Sequence, residues 1–80
     1  MIGRIKWFDN KMGYGFIEYT DQEDIFVHYS NILQDGYKKL EEGQLVSFRI
    51  IETSKGLQAL NIMVIFITYH IMIFYILKKI

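Results

Sequence analysis

Two segments constrain this chain more than any others: Met12-Gly13-Tyr14-Gly15-Phe16-Ile17 and Asp24-Ile25-Phe26-Val27-His28-Tyr29. In each, ring-bearing residues two apart alternate with other types, which is the period of an extended strand. Tyr14 and Phe16 therefore share one face of a strand and Ile17 occupies the other. Phe26 and His28 likewise share a face opposite Ile25 and Val27. If Ile17, Ile25 and Val27 point into a core, four rings are left outside.

The rest of the chain reads as a series of short strands joined by turns. Ile2 to Phe8 is a first strand, with Arg4 and Lys6 alternating against Ile5 and Trp7. Asp9 to Gly13 is a polar connection with turn chemistry. Tyr14 to Tyr19 is the second strand, Thr20 to Glu23 an acidic turn, and Asp24 to His28 the third strand. Ser30-Asn31 suits a brief helical turn that lets Ile32 and Leu33 fold under the sheet. Residues 34–44 form a longer loop with turns at Asp35-Gly36 and Glu42-Gly43, and Tyr37 is an exposed ring within it. Leu45 to Glu52 is a fourth strand, placing Val46, Phe48 and Ile50 on one face and Ser47 and Arg49 on the other. After a turn at Thr53 to Gly56, a fifth strand starts over Leu57 to Ile62. Five short strands with glycine-containing turns predict an all-β, antiparallel barrel, which removes most free sheet edges.

Such a barrel has interior enough without the rings, because Ile5, Ile17, Ile25, Val27, Val46, Phe48 and Ile50 already supply one. That weighs against the ordinary reading, in which Trp7, Phe8, Tyr14, Phe16, Phe26 and His28 are core, with Phe8 the most evenly balanced. Outward aromatic rings are what a surface that stacks unpaired bases requires. Lys6 and Lys55 flank the aromatics and suit contact with a nucleic-acid backbone. Lys38-Lys39 more often serves solubility. His28 has no serine, cysteine or carboxylate beside it in a nucleophile motif, and Glu41-Glu42 is a solvated loop pair rather than an acid–base dyad. No catalytic constellation, cofactor cradle or metal site is expected.

Eighty residues make one small domain. The absence of cysteine excludes a disulfide scaffold and a thiolate metal site, and the 2 histidines do not suffice for a typical zinc site. Net charge is zero, unlike the basic footprint usual for nucleic-acid binders. Its distribution is more telling. Residues 1–16 carry Arg4, Lys6 and Lys11 against Asp9 alone, whereas residues 17–53 are strongly acidic. Any nucleic-acid affinity must therefore lean on stacking more than on phosphate neutralisation. The strand pattern begins without a basic-then-apolar leader, so no signal peptide is expected, and the missing cysteines favour the cytoplasm.

These blocks resemble the bacterial cold shock protein family. The resemblance is carried by Gly3-Arg4-Ile5-Lys6-Trp7-Phe8-Asp9, Gly13-Tyr14-Gly15-Phe16-Ile17 and Asp24-Ile25-Phe26-Val27-His28-Tyr29-Ser30. Leu40 to Phe48 and Lys55 to Ile62 extend it, so that it covers about residues 2–62. It implies a five-stranded OB-type barrel that binds single-stranded RNA or DNA with little sequence preference, acting as an RNA chaperone that affects translation and transcription termination. Carried over position by position, the nucleic-acid-binding residues are Lys6, Trp7, Phe8, Tyr14, Phe16, Phe26, His28, Tyr29, Tyr37 and Lys55. The chain departs from the family pattern at Met12, where lysine is usual. Tyrosine replaces the commoner phenylalanine at Tyr14, Tyr29 and Tyr37, and Leu57 replaces a common proline.

The last departure is the C-terminus. Ile62 to Leu77 is apolar or aromatic except for Thr68 and His70, and Lys78-Lys79 close the run. The reading divides the chain into a domain over residues 1–64 and an apolar extension over 65–80. The extension admits four readings. It folds back on the barrel as strand or helix, makes an oligomer contact, associates with a membrane, or is a tail without a selected role. It is short of the about 20 apolar residues that a spanning helix needs. A barrel docking to protein or membrane through this tail is the alternative to a single-strand binder.

Overall fold

The structure, a computed structural model, describes residues 1–20, 23–36, 38–65 and 77–78. Five strands account for most of them: β1 (Ile2–Asp9), β2 (Tyr14–Thr20), β3 (Glu23–His28), β4 (Leu45–Thr53) and β5 (Gly56–Val64). A single turn of 3-10 helix, Tyr29–Asn31, follows β3. The strands close into a barrel in the order β1-β2-β3-β5-β4. Strand directions cannot alternate all the way round a ring of five, so one seam must be parallel. That seam is β3–β5, reduced to the pairing of Phe26 with Gln58; the other four are antiparallel.

The sequence expectation of an all-β barrel holds, and each strand ends within about two residues of where turn chemistry places it. Strict alternation does not hold along every strand, because three seams contain bulges. On β1, Ile5 pairs with Ile17 but Trp7 pairs with Phe16, so Lys6 is an extra residue. Tyr19 is the extra residue on β2 between Glu18 and Thr20. On β5 the shift falls between Met63 and Leu60, where Asn61 adopts a φ of 52°. Asparagine tolerates that left-handed backbone better than most side chains. The bulge explains why the buried residues of this strand are Ala59 and Ile62, three apart rather than two.

The core consists of Ile5, Ile17, Ile25, Val27, Ile32, Leu40, Val46, Phe48, Ala59 and Ile62, all nearly inaccessible to solvent. Six of these were legible as inward strand positions. Ile50, expected with them, is half-buried and packs against the cluster. Ile32 and Leu33 do not go under the sheet together. Ile32 is buried and bridges to Ile62, while Leu33 is 56% exposed. The segment leaving the helical turn is extended, so adjacent side chains take opposite sides. Leu40, in the long loop, is a core residue that no periodicity announces.

Candidate nucleic-acid interface

The site is built on the outer face of β1, β2 and β3. Cross-strand register puts Trp7, Phe16 and Phe26 in one row and Asp9, Tyr14 and His28 in the next. Trp7 reaches this face through the bulge at Lys6. Strict alternation from Ile5 would aim Trp7 inward, and the one-residue insertion reverses its side. Phe8 consequently takes the inner side, half-buried against the core. β1 and β2 approach closely there. A Cβ on Gly15 would lie 2.2 Å from the Trp7 carbonyl oxygen and 2.7 Å from the Phe8 Cα. Only glycine permits that contact, so the Tyr14-Gly15-Phe16 pattern is a packing requirement as well as an aromatic display.

The rings hold one another. Trp7 packs edge-on against Tyr14, with centroids 5.4 Å apart, and tilted against Phe16 at 5.8 Å. Phe16 meets Phe26 edge-on at 5.8 Å, and Tyr14 meets Phe26 at 6.2 Å. The four rings thus form a closed circuit of contacts in which no member is buried; Trp7 is 39% exposed. Edge-on packing leaves ring faces unblocked by their neighbours, and a flat apolar ligand can take them up.

His28 and Tyr29 form a second ring pair beside the first, with centroids 4.5 Å apart. The Ser30 backbone N–H donates to His28 Nδ1, and the Ser30 Oγ lies 2.8 Å from the same nitrogen. Since a backbone N–H can only donate, Nδ1 is the acceptor and the neutral ring carries its proton on Nε2. Tyr29 lies against Gly13, whose φ of 80° and missing Cβ make room for the ring. The Tyr29 N–H donates to the Gly13 carbonyl at 2.8 Å. Gly13 belongs to a turn held by Asp9, whose Oδ1 accepts from the Lys11 and Met12 N–H groups at 2.9 Å each.

Of the two cations expected beside the rings, Lys55 lies in the β4–β5 turn. It lines a cleft of about 250 Å³ together with Phe16, Phe26 and Gln58. Lys6 is exposed but engaged, its Nζ 2.8 Å from Asp24 Oδ2. That hydrogen bond and the carboxylate charge hold the Lys6 ammonium above the usual lysine range. Tyr37 lies outside the described residues, as does most of the apolar extension. Among the expected site residues, the structure therefore brings together Trp7, Tyr14, Phe16 and Phe26, with Lys55 at one end and His28 and Tyr29 at the other. Phe8 stands behind them. Asp24 and Gln58 were missed because nothing local marks them. Asp24 meets Lys6 across 18 positions of sequence, and Gln58 meets Phe26 at the seam that closes the barrel.

Among the described residues, no group of histidine, cysteine and acidic side chains is placed to hold a metal ion. No helix of the described residues is long and apolar enough to cross a membrane.

Comparison with known proteins accords with this geometry. The 'Cold-shock' DNA-binding domain family matches residues 1–65. Cold shock-like protein CspB of Bacillus cereus is 58% identical over 62 residues, spanning 78% of this chain and 95% of the relative. Cold shock protein CspD of Bacillus subtilis strain 168 is 55% identical over 60 residues, spanning 75% and 91% respectively. Among solved structures, drosophila Unr CSD456 is similar in fold, with a TM-score of 0.65 at 24% identity; the match covers 85% of this chain and 27% of that one. With a sequence match that runs the full length of the barrel, from the strand carrying Trp7 to the end of β5, the chain belongs to the cold-shock domain family.

Proposed function

We propose that this protein binds single-stranded RNA or DNA by stacking bases on the Trp7, Tyr14, Phe16 and Phe26 cluster. The family that matches residues 1–65 is described as a DNA-binding domain. In this reading the chain binds nucleic acid without being an enzyme, works in the cytoplasm and acts as an RNA chaperone. The observation that carries it is the closed circuit of four partly exposed rings on the outer face of β1 to β3. His28 and Tyr29 extend the stacking surface, with Nε2 of His28 as a hydrogen-bond donor to a base edge. Lys55 supplies a phosphate contact at the other end, and Phe8 supports the platform from within. Lys6 contributes its charge when a phosphate competes with Asp24 for it. Tyr37 completes the set by position in sequence.

At about 2 kcal/mol per stacked base, four rings supply about 8 kcal/mol, a dissociation constant near micromolar. Such affinity suits a protein that must release its strand. Because stacking dominates and few phosphates are neutralised, the salt dependence should be shallow.

Titration of an oligopyrimidine while following Trp7 fluorescence tests the proposal. Quenching at micromolar concentration is expected. No quenching at about tens of micromolar, some tenfold weaker than the stacking arithmetic requires, refutes it. A log–log salt slope implying about six released counterions would transfer the binding energy from the rings to phosphate contacts.

A further inference from the structure

Beside the ring platform, the turn between β1 and β2 and the loop leading to β4 face each other across a groove of about 410 Å³. Lys11, Met12, Gly13, Tyr29, Gly36 and Lys38 line it, together with Asn10. Tyr29 belongs both to this groove and to the ring pair with His28, so the groove adjoins the platform at its His28 end. Lys11 and Lys38 come from opposite loops and put a cation on each wall. The width of the groove depends on what holds the two loops at their separation.

One side chain bridges them. The Asn10 carboxamide donates from Nδ2 to the Leu40 carbonyl at 2.9 Å and accepts at Oδ1 from the Leu40 N–H at 3.0 Å. This two-point contact reproduces across 30 positions of sequence the pairing that a neighbouring strand would provide. It satisfies both backbone groups of a residue whose side chain is wholly buried in the barrel core. On the Asn10 side, the turn is held by the Asp9 bonds to the Lys11 and Met12 N–H groups and by the Gly13 N–H to the Asp9 carbonyl. On the Leu40 side, the chain is anchored by the Leu40 side chain in the core. The Gly43 N–H to the Ile5 carbonyl follows soon after. The carboxamide thus joins a segment on one side of the groove to a segment on the other.

We infer that Asn10 is a positioning residue for nucleic-acid binding. It fixes the β1–β2 turn against the loop at Leu40 and keeps the groove preformed for nucleotides that continue beyond the ring platform. The inference rests on the single-strand reading above and gives Asn10 a part in it. Asn10 touches no base in this role. It removes an ordering cost that the loops would otherwise incur on binding.

The test compares a tetranucleotide, short enough to be held at the rings, with a nonanucleotide of the same pyrimidine, long enough to continue into the groove. Both are titrated against the full chain and against Asn10→Ala and Asn10→Asp. The aspartate is isosteric, keeping the acceptor for the Leu40 N–H while facing the Leu40 carbonyl with a lone pair, so it serves where the alanine variant folds poorly. Both variants should weaken nonanucleotide binding about fivefold while leaving tetranucleotide affinity within about twofold. In Asn10→Ala, hydrogen exchange at the Leu40 amide should accelerate while the Ile17 amide stays protected. Three results would overturn the inference: an unchanged nonanucleotide affinity, equal weakening of both ligands, or a Leu40 amide that stays protected in Asn10→Ala. If the unaltered protein binds neither ligand, the single-strand reading fails and this inference falls with it. If it binds the short ligand as tightly as the long one, only the groove is ruled out.

Discussion

Replacing Phe16 separates the display of a flat ring from the presence of an apolar side chain. Phe16 sits mid-row, paired to Trp7 on one side and Phe26 on the other, with both ring centroids 5.8 Å away. Phe16→Leu keeps an apolar body of similar reach but removes the π-face, so one stacked base is lost. That costs about 1–3 kcal/mol, a rise in dissociation constant of about 5- to 150-fold. The two ring contacts are each worth about 0.5–1.5 kcal/mol beyond area burial, so the leucine variant also loses up to about 1–3 kcal/mol of stability. Phe16→Ala loses this and the buried area besides. A small single-core domain has about 3–5 kcal/mol in hand, so binding must be read where unfolding does not intrude. Urea unfolding followed by Trp7 fluorescence establishes that range, and oligopyrimidine titration at low temperature within it gives the affinity. Ile2→Ala is the control: Ile2 is 60% exposed on the β1–β4 seam, away from the row. The reasoning is refuted if Phe16→Leu binds within about twofold of the unaltered chain, or if Ile2→Ala weakens binding as much as Phe16→Leu does.

Two further outcomes follow from the packing and charge of the same face. Gly15→Ala forces a Cβ against backbone atoms of Trp7 and Phe8 that cannot swing aside. It should therefore destabilise by about 3 kcal/mol, the upper end for overpacking, and an unchanged urea midpoint contradicts the close approach. The Lys6–Asp24 pair predicts a pH dependence. The pair raises the ammonium's folded-state value above its unfolded one. Its stabilisation is therefore complete below the unfolded value of about 10.5 and is lost as pH rises through the folded one. Thermal scans from pH 9 to 12 should show the unaltered chain losing its advantage over Asp24→Asn across that window. A constant difference between the two would count against the pair.

The rings of β2 and β3 were legible because their strands keep strict alternation from Tyr14 to Glu18 and from Asp24 to His28, and local sterics alone dictate that period. Trp7 is placed at the site by the sufficiency of the aliphatic core and by the resemblance, while plain alternation along β1 puts it on the side of Ile5. The bulge at Lys6 resolves the conflict, and a bulge is a property of two paired strands. Leu33 was misplaced because a helical turn followed by extended chain leaves no period to read. Leu40 was missed because it lies in the long loop, where no strand or helix period marks a buried position. The Lys6 charge looked available until the fold brought Asp24 beside it.

By itself the sequence determined the strand periods, the turns, the aliphatic residues sufficient for a core, and the surplus of rings that the core did not need. Those depend on interactions among near neighbours in the chain. Only the tertiary structure decided which rings share one surface, since cross-strand register aligns Trp7, Phe16 and Phe26 and the bulge at Lys6 turns the first of them outward. It also decided that one seam must be parallel, that Lys6 is paired, and that Asn10 spans two loops. Each of these requires residues far apart in sequence to meet, and the alternation within a strand is the same whichever partner lies beside it.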